Sequence, residues 1–325
     1  MLVLVTGAAG FIGFHVAAAL LARGDKVVGI DNLNEYYSVT LKRARLKQLE
    51  AQPGFTFHQL DVGDPKVVTE LILRYKETQG IIHLAAQAGV RYSLENPYAY
   101  VHSNVMGQVV MLEAARKLDR LHCFVYASSS SVYGGNKKQP FRVDDRVDDP
   151  ISLYAATKRS CELSARTYSH LFGIPANGLR FFTVYGPWGR PDMAAYLFAD
   201  AIVAGRPIKV FNEGKMERDF TYIEDIVAGT IAALDRPPAG SVPHKVYNLG
   251  NHRPEPLMRF IELIERELGH KAVKELLPMQ PGDVPSSFAE IDMSTQELGF
   301  YPSTTIDIGI PKFIEWYKEY NTLRA

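Results

Sequence analysis

The sequence is short of the features that would place it outside the ordinary globular proteins. Only two of its 325 residues, Cys123 and Cys161, are cysteines. They build no disulfide framework and lack zinc-ligand spacing, so a reducing, cytoplasmic setting is expected, with no metal. An excess of charge is also missing. Thirty-six Lys and Arg balance thirty-six Asp and Glu, so no long-range field recruits nucleic acid or an anionic membrane, and neither is expected as a partner. No apolar run approaches the roughly 18 residues needed to cross a bilayer. The opening MLVLVTGAAGFIGFHVAAALLARG is apolar, but it has no basic start, and three glycines and His15 interrupt it. That argues against a signal peptide or membrane anchor. Internal repeats and low-complexity tracts are absent as well. What remains, 46% hydrophobic and 22% charged, is an ordinary globular composition with length enough for one large or two modest domains.

The first half alternates β-rich runs with helical patterns. Strands are expected at Leu2–Val5, Lys26–Ile30, Phe55–Leu60, Gly80–Leu84 and His122–Ala127, with helices such as Phe11–Ala22, Val67–Tyr75 and Asn104–Leu118 between them. Near-continuous apolar strands alternating with helices predict an α/β fold, a Rossmann-type doubly wound parallel sheet covered on both faces. Two more strands are expected at Gly178–Thr183 and Lys245–Leu249. Beyond about residue 184 the pattern breaks into Pro- and Gly-rich pieces (YGPWGRPDM, DRPPAGSVPH, MQPGDVP) and short helices such as Leu257–Leu268. The expected organisation is a nucleotide-binding domain of residues 1–180 plus about 219–253, and a smaller α/β substrate-binding domain of 181–218 and 254–325.

Gly7-Ala8-Ala9-Gly10-Phe11-Ile12-Gly13 lies between the first strand and the first helix. A tight turn there lets the backbone approach a pyrophosphate and aims the helix N-terminus, with its free N–H groups, at it. Asp31 closes the second strand, eighteen residues after Gly13. A carboxylate at that place accepts the hydroxyls of an adenosine ribose and repels a 2′-phosphate, so the expected cofactor is NAD.

CFVYASSSSVYGGN ends the fifth strand in four serines, Ser128–Ser131. Tyr154 and Lys158, twenty-five and twenty-nine residues after Ser129, share one face of the expected helix Tyr154–Phe172. A cation beside a phenol favours its ionised form. Lys158 thus equips Tyr154 to act as general base on an alcohol that loses hydride to NAD.

These motifs, with Asp31-Asn32, Asp61-Val62, His83-Leu84-Ala85-Ala86 and Val132-Tyr133-Gly134, resemble the extended short-chain dehydrogenases/reductases acting on nucleotide sugars, over residues 1 to about 315. More narrowly, HLAAQAGVRYS, ASSSSVYGGN, LRFFTVYGPWGRPDMA, RDFTYIEDIV and LPMQPGDVP resemble the UDP-glucuronate 4-epimerases. The resemblance implies that Ser129 hydrogen-bonds the sugar 4-hydroxyl beside Tyr154. It implies cofactor contacts at Gly7, Gly10, Phe11, Ile12, Gly13, Asp31 and Asn32, at Asp61 and Val62 around the adenine, and at Leu84, Ala85, Ala86 and Asn104 along the groove, with Lys158 also on the nicotinamide ribose. Arg218 corresponds to a phosphate-binding arginine, Arg190 to a residue near uracil or phosphate, and Asp283 to a carboxylate on the uridine ribose. Gln280 stands where galactose epimerases have an arginine. A homodimer through Asn104–Leu118 and Tyr154–Phe172 is implied in the same way.

Members of that group share oxidation at C4 and then diverge. Dehydratases carry Asp-Glu after the catalytic hydroxyl, and decarboxylases a Glu at the position of Ser131; here both places, 130 and 131, are serine. The expected outcome is epimerisation of a UDP-uronic acid through a 4-keto intermediate. Ser130, Ser131 and Thr183 would hold the sugar carboxylate by neutral hydrogen bonds, with Arg91 as a charged addition. The competing readings are an epimerase of neutral UDP-hexoses, a UDP-glucuronate decarboxylase, and a non-catalytic NAD-binding scaffold. Ser128 is left to turn chemistry.

Overall fold

A computed structural model describes residues 1–280 and 284–322. In the first half, strands β1 (Leu2–Thr6), β2 (Lys26–Asp31), β3 (Phe55–Gln59), β4 (Gly80–His83), β5 (Cys123–Ser129) and β6 (Ala176–Phe181) alternate with helices. These are α1 (Phe11–Ala22), α2 (Val39–Glu50), α3 (Pro65–Arg74), the single turns α4 (Tyr92–Glu95) and α5 (Pro97–Tyr100), α6 (Gly107–Ala115) and α7 (Leu153–Phe172). The second half runs β7 (Thr183–Tyr185), α8 (Ala194–Val203), β8 (Ile208–Phe211), β9 (Glu217–Tyr222), α9 (Ile223–Asp235), β10 (His244–Leu249), β11 (Pro254–Pro256) and α10 (Leu257–Leu268). It closes with β12 (Lys274–Leu277), β13 (Ser286–Ser287), α11 (Asp292–Leu298) and α12 (Ile306–Thr322).

Seven strands form one sheet in the order β10-β6-β5-β4-β1-β2-β3, every neighbouring pair parallel. Val3, Leu4 and Val5 of β1 and Phe124, Val125 and Tyr126 of β5 have no exposed surface, because helices cover both faces and leave no solvated side for a polar alternation. The chain reverses direction across the sheet at β1 and β4, and the crevice beyond their C-terminal ends is where such sheets hold ligands. Among the described residues no helix is long and apolar enough to cross a membrane.

Two expected elements take a different form. The strand expected at Gly178–Thr183 stops at Phe181; after Phe182 the chain leaves the large sheet, and β7 pairs with β9 instead. β9 also pairs with β11 and β13, in a small second sheet. The helix expected from Asn104 begins as a π-helical turn, Val101–Met106, and becomes α-helical only at Gly107. Such turns are rare and often lie at functional sites; this one carries the buried Asn104.

Three histidines are held neutral by burial: His83, with Lys158 nearby, at about 3, and His15 and His244 at about 4. Each folded value lies below the unfolded 6.5, so the unfolded chain takes up these protons first as pH falls. Their contribution is whole above pH 6.5 and is lost between 6.5 and about 3 to 4. The melting temperature is therefore expected to fall steadily below pH 6.5, and His244→Asn to flatten that slope. Parallel slopes in the two proteins would contradict it.

Candidate functional site

The end of β1 and the start of α1 are packed to the limit of backbone contact. Gly7 has φ +72°, and a β-carbon on it would lie 2.8 Å from the Ala85 nitrogen; one on Gly13 would lie 2.0 Å from the Gly7 carbonyl oxygen. The turn closes by Gly10 N–H donating to Gly7 O (2.9 Å), while Gly7 and Ala8 N–H both reach Ile30 O (2.7 and 3.1 Å). Gly10 caps the helix without a side chain, so the opening N–H groups of α1 are left for a ligand, at the positive end of the helix dipole.

Asp31 is buried beside this turn. Its Oδ2 accepts from Ala9 N–H (3.2 Å) and its Oδ1 from Leu33 N–H (2.8 Å). Burial raises its carboxyl above the usual range, opposed by those two donors and by Lys42 and Arg45. Lys42, anchored on Asn34 O (2.5 Å) and Oδ1 (2.8 Å), is lowered to about 8 by burial. Arg45 is fully buried and donates to Ala9 O (2.9 Å), Tyr37 Oη (2.9 Å), Trp188 O (2.6 Å) and Gly189 O (3.2 Å). It thereby ties the glycine turn to the loop after β7. The sequence reading missed it, because a basic residue in LKRARLKQL resembles a solvated helix face.

Across the crevice, Asn32 donates to Asp61 Oδ2 (3.1 Å), and Gly63 N–H donates to Asp61 Oδ1 (2.7 Å), which also meets His102 Nε2 (3.1 Å). Burial pushes the Asp61 carboxyl up, but these partners outweigh it and hold it below the ordinary range. Thr6 Oγ1 accepts from Ala85 N–H (3.0 Å) and meets His83 Nδ1 at 2.7 Å, fixing the chain that leads to Ala86.

Asn104 differs in place from the expectation. It is 2% exposed and does not line the cavity. Its amide donates to Gln87 O (3.0 Å) and Thr157 Oγ1 (3.0 Å), and its Oδ1 accepts from Gln87 N–H (2.8 Å). It shapes the groove from behind.

The residues expected to react come together where β5 ends against α7. Ser152 starts that helix by accepting from Ala155 N–H (3.1 Å). Tyr154 and Lys158 follow on one face, and Lys158 Nζ donates to Ala127 O (2.9 Å). Ser129 Oγ donates to Ser131 Oγ (3.1 Å) and accepts from Ser131 N–H (3.2 Å), capping the short 3-10 turn Ser130–Tyr133. The Tyr154 ring stands edge-on to Tyr100 at 6.0 Å. Ser128 is no turn residue. It belongs to β5, is buried, and donates to Glu162 Oε1 (2.7 Å).

One cavity of about 1180 Å³ joins the turn to these groups, ample for a dinucleotide and a second large ligand together. The residues expected from sequence line it with two exceptions, Asn104 and Asp283; the latter lies outside the described residues. Ser130, Ser131 and Thr183 face the cavity, as do the three expected arginines. Arg91 lies 5.0 Å over the Phe211 ring, and Arg218 donates to Glu217 O (2.8 Å) and Pro285 O (3.3 Å). Arg190 forks onto Asp192, which also accepts from Tyr36 Oη (3.0 Å). Gln280 Oε1 is buried without a hydrogen-bond partner among the described residues. The sequence reading overlooked Tyr36, Arg206 and Lys209, all on the cavity wall. The alternation of Ile208 and Val210, both buried, with Lys209, exposed, was the available signal for β8.

Comparison with known proteins extends these observations. The model of the family described as the NAD dependent epimerase/dehydratase family matches residues 3–250. The chain is 48% identical over 331 residues to a UDP-glucuronate 4-epimerase of Arabidopsis thaliana, covering 98% of this chain and 75% of that one. It is 46% identical to a probable UDP-glucuronate 4-epimerase of Rhizobium meliloti, covering 97% and 96%. In structure it is similar to the UDP-glucuronic acid 4-epimerase of Bacillus cereus in complex with UDP-glucuronic acid and NAD, with a TM-score of 0.91, 34% identity, and coverage of 98% and 100%.

The contact at the glycine turn yields a direct expectation. Gly13→Ala drives a β-carbon into the Gly7 carbonyl and is expected to cost about 1–3 kcal/mol of stability or more, as overpacking does. A denaturant midpoint equal to that of the wild type would show that the turn has room.

Proposed function

The chain belongs to the NAD-dependent epimerase/dehydratase family, and from that premise we propose that it is a UDP-glucuronate 4-epimerase, interconverting UDP-glucuronate and UDP-galacturonate with NAD. The reading is carried by one juxtaposition. The glycine turn and Asp31 share a single cavity with Ser129, Tyr154 and Lys158, and positions 130 and 131 on its wall are serines, in a chain close to half identical to UDP-glucuronate 4-epimerases.

The residues present fit NAD. The glycines let β1 and α1 close against each other in a tight turn, and the first N–H groups of α1, which have no side-chain cap, are left to a ligand in the cavity that Gly10, Phe11, Ile12 and Gly13 line. Gly7, Gly10, Phe11, Ile12 and Gly13 would hold the pyrophosphate. Asp31 and Asn32 would hold the adenosine ribose, Asp61 and Val62 the adenine, and Leu84, Ala85 and Ala86 the groove. When bound, NAD supplies the acceptor that takes hydride from C4 and gives it back. Tyr154 removes the proton of the 4-hydroxyl as general base and later returns one. Ser129 would hold that oxygen by a hydrogen bond, and Lys158, steadied on Ala127 O one helical turn from Tyr154, would reach the nicotinamide ribose.

Between the two transfers the chain would have to supply only room for the keto sugar to turn over in the cavity. A 4-keto uronic acid is a β-keto acid that readily loses carbon dioxide. Ser130, Ser131 and Thr183 would grip its carboxylate as neutral donors, with Arg91 as a charged addition, and the serines at 130 and 131 offer no carboxylate for elimination. Arg218 and Arg190 take the diphosphate and uracil end, with Asp283 on the ribose. Residues 1–180 with about 219–253 form the nucleotide domain, and 181–218 with 254–325 the substrate domain. The unpaired thiols of Cys123 and Cys161, both buried, suit a reducing cytoplasm.

The assembly we infer is a homodimer. α7 and the turns before α6 leave apolar side chains in solvent, among them Tyr98 at 84%, Leu94 at 74%, Leu171 at 60% and Leu163 at 50% exposure. A second copy covering this face would remove that apolar surface from water.

Incubation with UDP-glucuronate, followed by NMR, is expected to yield UDP-galacturonate with no net NADH; a UDP-pentose product, or NADH accumulating in step with turnover, would replace the reading. Tyr154→Phe is expected to lose at least about 10²-fold in kcat, and equally negligible activity in both proteins would favour a binding scaffold. In solution the wild type is expected at twice the 36.3 kDa chain mass and Leu163→Lys at the chain mass. A monomeric wild type would remove the dimer.

A further inference from the structure

Behind the serine row lies a buried charged cluster that the proposed reaction does not itself touch. Glu162 is 1% exposed and sits at its centre. Its Oε1 accepts from Ser128 Oγ (2.7 Å) and from Arg180 Nε (2.8 Å); its Oε2 accepts from Arg180 Nη2 (3.0 Å) and Arg159 Nη1 (3.0 Å). Arg180, on β6, also donates through Nη1 to Tyr133 Oη (2.9 Å) and Val143 O (3.3 Å). Tyr133 in turn donates to Asn248 Oδ1 (2.6 Å), whose amide reaches Phe141 O and Glu290 O. Such a cluster is a poor stability device, since an apolar group of similar volume often serves as well as a buried ion pair. Its hydrogen bonds are directional, however, and each has one geometry.

That geometry is aimed at the reactive residues. Tyr154, Lys158 and Glu162 fall at i, i+4 and i+8, along one face of α7. Lys158 holds the carbonyl of Ala127, and Glu162 holds the hydroxyl of Ser128. Two successive residues of β5 are thus clamped by two successive turns of the helix that carries Tyr154. Ser128 pairs in register with Arg180 in the adjoining strand, so the carboxylate meets both strands at one level. Neighbouring strand residues face opposite ways. Turning Ser128 towards the helix therefore commits Ser129 to the cavity it lines.

We propose that Glu162, acting through Ser128, is a positioning residue: it sets the register of α7 against the end of β5, so that the Ser129 hydroxyl and the Tyr154 phenol converge on one substrate oxygen. The kinetic consequence rests on the epimerase reading; the structural one does not. Ser128→Ala removes the link while leaving the Glu162–Arg180 pair intact, and so preserves folding. Ser128→Thr keeps the hydroxyl, and Glu162→Gln weakens the centre.

With UDP-glucuronate, S128A and E162Q are expected to lose roughly 10- to 100-fold in kcat, the scale of a misplaced reacting group, with KM little changed. S128T is expected to recover most of that loss. In crystal structures of the wild type and S128A, the Ser129 hydroxyl is expected to shift relative to Tyr154. Unchanged kcat in S128A, equal losses in S128A and S128T, or an unmoved Ser129 would overturn the proposal. A wild type with no turnover of UDP-glucuronate would sink the epimerase reading instead, and the two crystal structures would then decide the positioning role alone. If E162Q fails to fold, S128A carries the test.

Discussion

A single steric fact underlies the site: the carbonyl oxygen of Gly7 occupies the space where a β-carbon of residue 13 would be. No side chain can enter there, so α1 starts directly above the end of β1, and its free N–H groups open into the crevice between β1 and β4. The same closeness brings Gly7 against Ala85, and through Thr6 the strand ends of β1 and β4 are locked to His83. Everything that lines the cavity on the nucleotide side is placed relative to this contact.

The nucleotide half was largely legible because its rules are local. A parallel strand buried on both faces must be apolar along its length, as Val3–Val5 and Phe124–Tyr126 are, and a glycine turn announces itself by spacing. The second half was less so. β7, β11 and β13 have three, three and two residues, and they exist only because β9 offers them partners. No periodicity can be read from segments that short. The site was legible where chemistry dictates residue type, as at Asp31, Tyr154 and Lys158. It was opaque where position depends on distant chain. Arg45 reaches Trp188 across 143 residues, and Asn104, in a π-helical turn, is turned onto Gln87 and onto Thr157 fifty-three residues away. Ser128 was misjudged for the same reason, since its partner Glu162 lies thirty-four residues away.

The serine row divides its labour by direction. All four serines border the cavity, but the Ser128 hydroxyl is turned inward onto Glu162 and joins a charged cluster. In the proposed reaction these hydroxyls matter as much for neutrality as for hydrogen bonding. A carboxylate at 130 or 131 would supply the acid or base for elimination, whereas a hydroxyl holds a uronate without adding a reactive group. Selectivity among reactions that share one intermediate then comes from withholding chemistry.

The hydrogen bond from Tyr36 to Asp192 joins two loops separated by 156 residues, with Arg190 bracing the carboxylate. One loop follows the strand that ends in Asp31, and the other follows β7. In an epimerase that returns its hydride, the dinucleotide never needs to depart between cycles, while the sugar nucleotide must come and go each time. For the proposed reaction, a bond that joins the loop beyond Asp31 to the loop beyond β7 on the cavity wall would let the two ligands keep different schedules, one resident and one visiting.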